Sequence, residues 1–198
     1  MRFAFKEWAI VVEALGSGQQ IVILRKGGVS EGRRGFQVEH AEFLLFPSQF
    51  HQERTSIVAS WWPRLDQMLS GKEATEEPTQ VRLEFVAQVV SWRRLESLAV
   101  AQRLRGQHIW DDDVIAKRFD WGAEKNIFAL AVRIFRLPNA VDLPVLPAYA
   151  GCKSWIDLGQ DISTEEAAPV LSKEEFNEKL NQFNAALDWN DSANPSLS

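Results

Sequence analysis

The sequence predicts an α+β fold: a single mixed-sheet domain with packed helices and a C-terminal acidic tail containing one amphipathic helix. Three observations predict it. Two long β-forming segments, residues 81–92 and 126–137, flank a helical pair. Glycine and proline punctuation separates short strand-like runs from helix-period segments. Charge is divided unevenly along the chain. Residues 1–160 carry 20 Lys and Arg against 19 Asp and Glu, whereas residues 161–198 carry 2 against 8. The expected organisation is a globular body over 1–158 and a tail over 159–198, with a helix near 173–187.

Taken in order, Phe5, Trp8, Ala9, Val12 and Leu15 recur at helical spacing and Gly16 is a natural stop, so a helix is expected over 5–15. The β-formers Ile10, Val11 and Val12 support a competing strand at 8–12. Residues 19–24 read as a strand that ends at Arg25 and Lys26, where a glycine-rich loop begins. Residues 36–39 and 42–46 read as strand pieces broken at Pro47. The pattern then turns helical, with a restart at Pro63, a residue suited to a first helical turn, and an end near Gly71. Residues 72–79 form a charged loop containing Pro78.

The segment 81–92 alternates like a strand, 95–104 reads as a short helix, and Asp111 is placed to cap a helix running to Phe119. The second long strand, 126–137, is expected to close at Pro138. Pro144 and Pro147 mark an irregular crossing before a strand-like piece at 153–158. Ser172 with Glu175 three residues later matches a capping box. The helix it starts carries Phe176, Leu180, Phe183 and Leu187 on one stripe, which either the body or a partner protein must cover.

Composition bounds the function classes. The net charge is −5, and the nearly neutral body does not mark a strongly basic nucleic-acid binder. Arginine supplies 14 of the 22 basic residues, which suits carboxylate or phosphate contacts as well as surface pairs. One cysteine, Cys152, excludes an internal disulfide framework and a cysteine-based zinc site. No apolar run reaches the roughly 20 residues that cross a bilayer, so a cytoplasmic location without membrane contact is expected.

Two regions stand out as candidate sites. Residues 25–35 offer Arg25, Lys26, Arg33 and Arg34 among four glycines, a composition that can cradle an anion through backbone amides and neutralise it. The segment matches no nucleotide-binding fingerprint, and a solvated hairpin loop is the plainer account of it. Downstream, Glu39, His40, Glu42, His51 and Gln52 lie around a dense apolar run. Two histidines and a carboxylate can hold a ligand or run acid–base work, but the spacing matches no metal-binding motif. Neither a cofactor nor a metal is therefore expected.

Other motifs read as structure. Asp111, Asp112 and Asp113 would diverge by about 100° per residue on a helix, and a helix start favoured by negative charge accounts for them. Arg93, Arg94, Arg103 and Arg105 read as a solvated basic face. No GxSxG is present, and no lysine has the acid two positions earlier that a restriction-type nuclease core requires.

The blocks KEWAIVVEAL, IVILRKGG, FQVEHAEFLLFPSQFHQ, HIWDDDVIAKRF and FALAVRIFRLP resemble the bacterial family called domain of unknown function 1802, over roughly residues 4–158. The matching positions of the early block are Arg25, Lys26, Gly27, Gly28, Glu39, His40, Phe46, Pro47, His51 and Gln52. The resemblance implies no established activity. It does imply an association, in some members, with a restriction-endonuclease-type catalytic domain, and hence a role beside DNA defence.

Three functions follow as expectations. The first is a non-catalytic nucleic-acid-binding or defence-associated accessory protein, partnered by nucleic acid or by a separate nuclease-type protein. The second is an adaptor that engages another protein through its tail helix. The third is a small-ligand or metal-binding enzyme built on Glu39, His40 and His51. Small β-barrel-like domains that read nucleic acids or modified bases offer a fold-level analogy for the long strand pair.

Overall fold

The structure, a computed structural model, describes residues 1–26, 36–49, 52–70, 78–151 and 153–187. Its seven strands are β1 (Phe3–Trp8), β2 (Val22–Arg25), β3 (Glu42–Ser48), β4 (Gln80–Leu95), β5 (Ile127–Pro144), β6 (Trp155–Asp157) and β7 (Ala168–Pro169). Its helices are α1 (Ala9–Gly16), α2 (Trp62–Leu69), α3 (Leu98–Gln102), α4 (Asp112–Asp120) and α5 (Lys173–Ala186). The sheet runs β2-β5-β4-β3-β1-β6, with β7 on the β5 edge that β2 also uses. It is mixed: β1 runs parallel to β3 and every other pairing is antiparallel. The α+β class expected from the sequence is the class found.

The helix expected over 5–15 forms only from Ala9, the competing strand at 8–12 is not found, and a strand that was not expected precedes the helix. Strand β1 ends at Trp8, and α1 starts at the next residue. All but Glu13 of α1 is buried, so apolar residues all round the helix meet the core rather than forming one stripe. Two prolines expected to end strands lie inside them. Pro138 falls in the register irregularity between Leu83 and Phe85 of β4, where a missing backbone donor breaks no ladder bond. Pro47 pairs with Glu7 of β1, but it lies beyond the stretch of β3 that also pairs with β4. Residues 36–39, expected as a strand piece, form none, and Asp111 caps α4 as expected, its side chain accepting from Asp113 N at 3.0 Å.

One large core cluster joins α1, β2, β4, β5 and α5, and a smaller one lies under Leu83, Leu143, Tyr149 and Ile156. The capping box of α5 is formed in both directions between Ser172 and Glu175. Phe176, Phe183 and Leu187 are buried against the body and Leu180 packs at its margin, so the body covers the apolar stripe. Arg93 of β4 donates to the Leu187 carbonyl at 2.9 Å and ties down the helix end. No helix among the described residues is long and apolar enough to cross a membrane.

Candidate functional site

Of the four basic residues in the glycine-rich segment, Arg33 and Arg34 lie outside the described residues, as does His51. Arg25 closes β2 and turns inward. Its Nε donates to Ser154 Oγ at 2.8 Å, and its guanidinium carbon sits 5.3 Å from the centre of the Phe5 ring. Lys26 also faces the protein. Its ammonium donates to the carbonyls of Phe119, Glu124 and Asn126 at 3.4, 2.5 and 2.8 Å, closing the end of α4. Burial lowers its pKa, with the Glu124 charge opposing. Lys26 is thus a structural cation tying β2 to the α4–β5 connection.

The second region also separates. His40 stacks on Phe3 with ring centres 4.0 Å apart and meets Trp155 edge-on at 4.9 Å. Glu42 accepts from Gln88 Nε2 at 2.9 Å, across the β3–β4 pair, while Glu39 is exposed. No hydrogen bond or ion pair joins His40 to either carboxylate. No group of three histidine, cysteine or acidic side chains that could hold a metal occurs among the described residues. What His40 and Arg25 share is an aromatic face. Phe5, Phe36, Phe43 and His40 each pack their rings on Trp155, and the Phe3, His40 and Trp155 rings are half-exposed. The Trp155 indole donates to the Gln37 carbonyl at 3.0 Å, which fixes the ring in place.

Gln52 belongs to a different cluster, and most of its neighbours were not singled out from the sequence. Its Oε1 accepts from Ile10 N at 3.0 Å, satisfying one of the unpaired donors at the start of α1. Glu7, at the end of β1, accepts from Trp8 N at 2.8 Å, and a carboxylate here is favoured by the positive end of α1. Trp8 meets Trp110 at 4.9 Å in an edge contact, and the Arg118 guanidinium lies 3.7 Å over the Trp110 ring. Arg118 also donates to the Leu24 carbonyl at 3.2 Å. Burial lowers its pKa to about 10, while the nearby Glu7 charge raises it and Arg25 lowers it further. A guanidinium remains charged throughout the neutral range even so.

These residues are scattered from 7 to 118 in sequence, and only the fold assembles them. One signal was available: Glu7 stands directly before the apolar run Trp8–Val12 that enters α1, and an acid at such a place calls for a partner. Beside this cluster, His108 is buried with an unpartnered Nδ1. Burial pushes its pKa down to about 4. Arg118 and Arg105 act in the same direction, while Asp112 and the Trp110 backbone oppose.

A curled mixed sheet with packed helices, one half-exposed aromatic face and one buried polar cluster defines a single α+β domain. The chain belongs to the family described as domain of unknown function (DUF1802), whose pattern matches residues 4–182. The match extends past residue 158, where the resemblance was expected to end, and takes in most of α5. No curated protein matches the chain.

Among solved structures, the chain is similar to the ASCH protein of Zymomonas mobilis, at 11% identity and a TM-score of 0.39, with 99% of this chain and 97% of that one covered. A serine-to-alanine variant of ASCH from the same organism gives 10% identity and 0.39, covering 90% of this chain and 94% of that one. A tyrosine-to-phenylalanine variant gives 11% and 0.38, covering 90% and 96%. Overlays this loose carry no argument about function.

Proposed function

We propose that this protein is a non-catalytic nucleic-acid-binding protein that acts beside a separate enzyme. The observation behind this reading is the half-exposed face formed by Phe3, His40 and Trp155, with Arg25 packed on the same ring cluster through Phe5. Partly exposed rings held by packing are what single-stranded nucleic acid uses as a platform. Each stacked base contributes about 1–3 kcal/mol, and every base has a π-face to offer. Lys26 takes no part in phosphate contacts in this reading, because its ammonium is enclosed by carbonyls.

The test is fluorescence anisotropy with a labelled single-stranded oligonucleotide, titrated at low and at moderate salt. Binding is expected to weaken with salt. Trp155→Ala and His40→Ala are each expected to weaken it by about tenfold or more, in line with the loss of one stacking contact. His40 lies at the margin of the core, so its variant should keep the wild-type melting temperature and separates loss of stacking from loss of folding. No binding at low salt, or unchanged affinity in both variants, would remove the proposal.

A further inference from the structure

Strand register carries the aromatic face of Trp155 across the sheet. Residues opposed across a ladder, and residues two apart on one strand, project from the same face. Phe5 is paired with Trp155 of β6 and with Leu45 of β3, and Phe43, two positions before Leu45, is paired with Ala87 of β4. Ala87 is opposed to Ile134 of β5, which shares its face with Val132, Leu130 and Phe128. The irregularity between Val89 and Ser91 adds a residue to β4, so Trp92 and Arg94, opposed to Leu130 and Phe128, project from this side too. Arg25 of β2 is opposed to Phe128 from its other flank. Trp155, Phe128, Trp92, Arg25 and Arg94 therefore stand on one face.

Rings join its two ends. Trp155 lies nearly parallel to Phe36 with centres 6.3 Å apart, Phe36 meets Phe128 edge-on at 5.3 Å, and Phe128 meets Trp92 at 5.9 Å. Phe36 is fully buried, whereas Trp155, Phe128 and Trp92 are only half-buried. Aromatic surface is thus open in two places, at Trp155 with His40 and at Phe128 with Trp92, linked through one buried ring. Phe128 also stands between Arg25 and Arg94 in a cross-strand row. Arg25 is fixed by Ser154, and Arg94 pairs with Glu124 at 2.8 Å and Glu96 at 3.5 Å. Carboxylates there match the guanidinium groups in number, so the second position offers ring surface rather than net positive charge.

We propose that Phe128 and Trp92 form a second base-stacking position, so that this face binds a single strand of several nucleotides with one base at Trp155 and another at Phe128 and Trp92. The inference rests on the nucleic-acid reading and adds to it the path and length of the strand. Two separate ring surfaces suit the unstacked bases of one flexible strand, whereas a duplex keeps its bases stacked on each other.

The test uses the full chain and labelled oligothymidylates from a dinucleotide to an octanucleotide, with affinity read by fluorescence anisotropy at low and at moderate salt. Wild type is expected to gain about tenfold or more once the strand reaches both positions. Trp92→Leu is expected to lose that gain while binding the dinucleotide within about twofold of wild type, and Trp92→Phe, which retains a ring, to keep it. The ratio of wild type to Trp92→Leu is expected to be the same at both salts, because stacking releases no counterions.

Leucine and phenylalanine are of similar bulk, so a loss through packing would strike both variants and the dinucleotide alike. That outcome, or a gain with length that Trp92→Leu retains, would overturn the second position. If oligonucleotides bind through Trp155 and His40 with no gain beyond the dinucleotide, the second position falls and the surface reading stands. If no oligonucleotide binds at low salt, both fall.

Discussion

Acidifying the wild-type protein alongside a His108→Gln variant tests the environment of the buried His108 side chain. The His108 pKa falls from the ordinary 6.5 to about 4, mainly through burial. The unfolded chain therefore takes up a proton near pH 6.5, while the folded protein resists until about pH 4. Between those values the unfolded state binds more protons, so stability rises with pH. The contribution is complete above the unfolded pKa, declines as pH falls through the window, and does not change further below about 4.

The full gap corresponds to about 3 kcal/mol, and about 2 kcal/mol of that is lost on going from neutral pH to about pH 5. Urea denaturation of both proteins at the two pH values isolates the effect, because carboxylate titrations are common to both. The wild type is expected to lose about 2 kcal/mol more than the variant. Parallel losses would show that His108 is not held neutral by its surroundings.

Two further outcomes follow from packing. A methyl group added at Gly16, the last residue of α1, would land on the Phe85 ring, so Gly16→Ala should destabilise the protein by about 1–3 kcal/mol. Pairing it with Phe85→Leu should recover part of that loss, and thermal melts of the two variants check this. Phe183 is fully buried, and Phe183→Ala should cost about 3–5 kcal/mol in chemical denaturation. A negligible loss would mean that α5 does not contribute to the core.

Sequence by itself determined the elements whose signals are local. Alternation marked the long strand β4, helical spacing with Gly16 marked α1, and the Ser172–Glu175 and Asp111 caps marked the starts of α5 and α4. Each depends on side chains a few residues apart, and such interactions survive without the rest of the fold. Tertiary structure decided which partner each side chain meets. Pro138 remains within β5 because a bulge in the pairing with β4 needs no donor there. Lys26 turned from a candidate anion ligand into a bridge to carbonyls about a hundred residues away. The candidate residues also separated. His40 went to an aromatic face, and Glu7, Gln52, Trp110 and Arg118 came together. Hydrogen bonds and ring contacts act over a few ångströms in space, and no periodicity along a chain reveals which distant residues will come within that range.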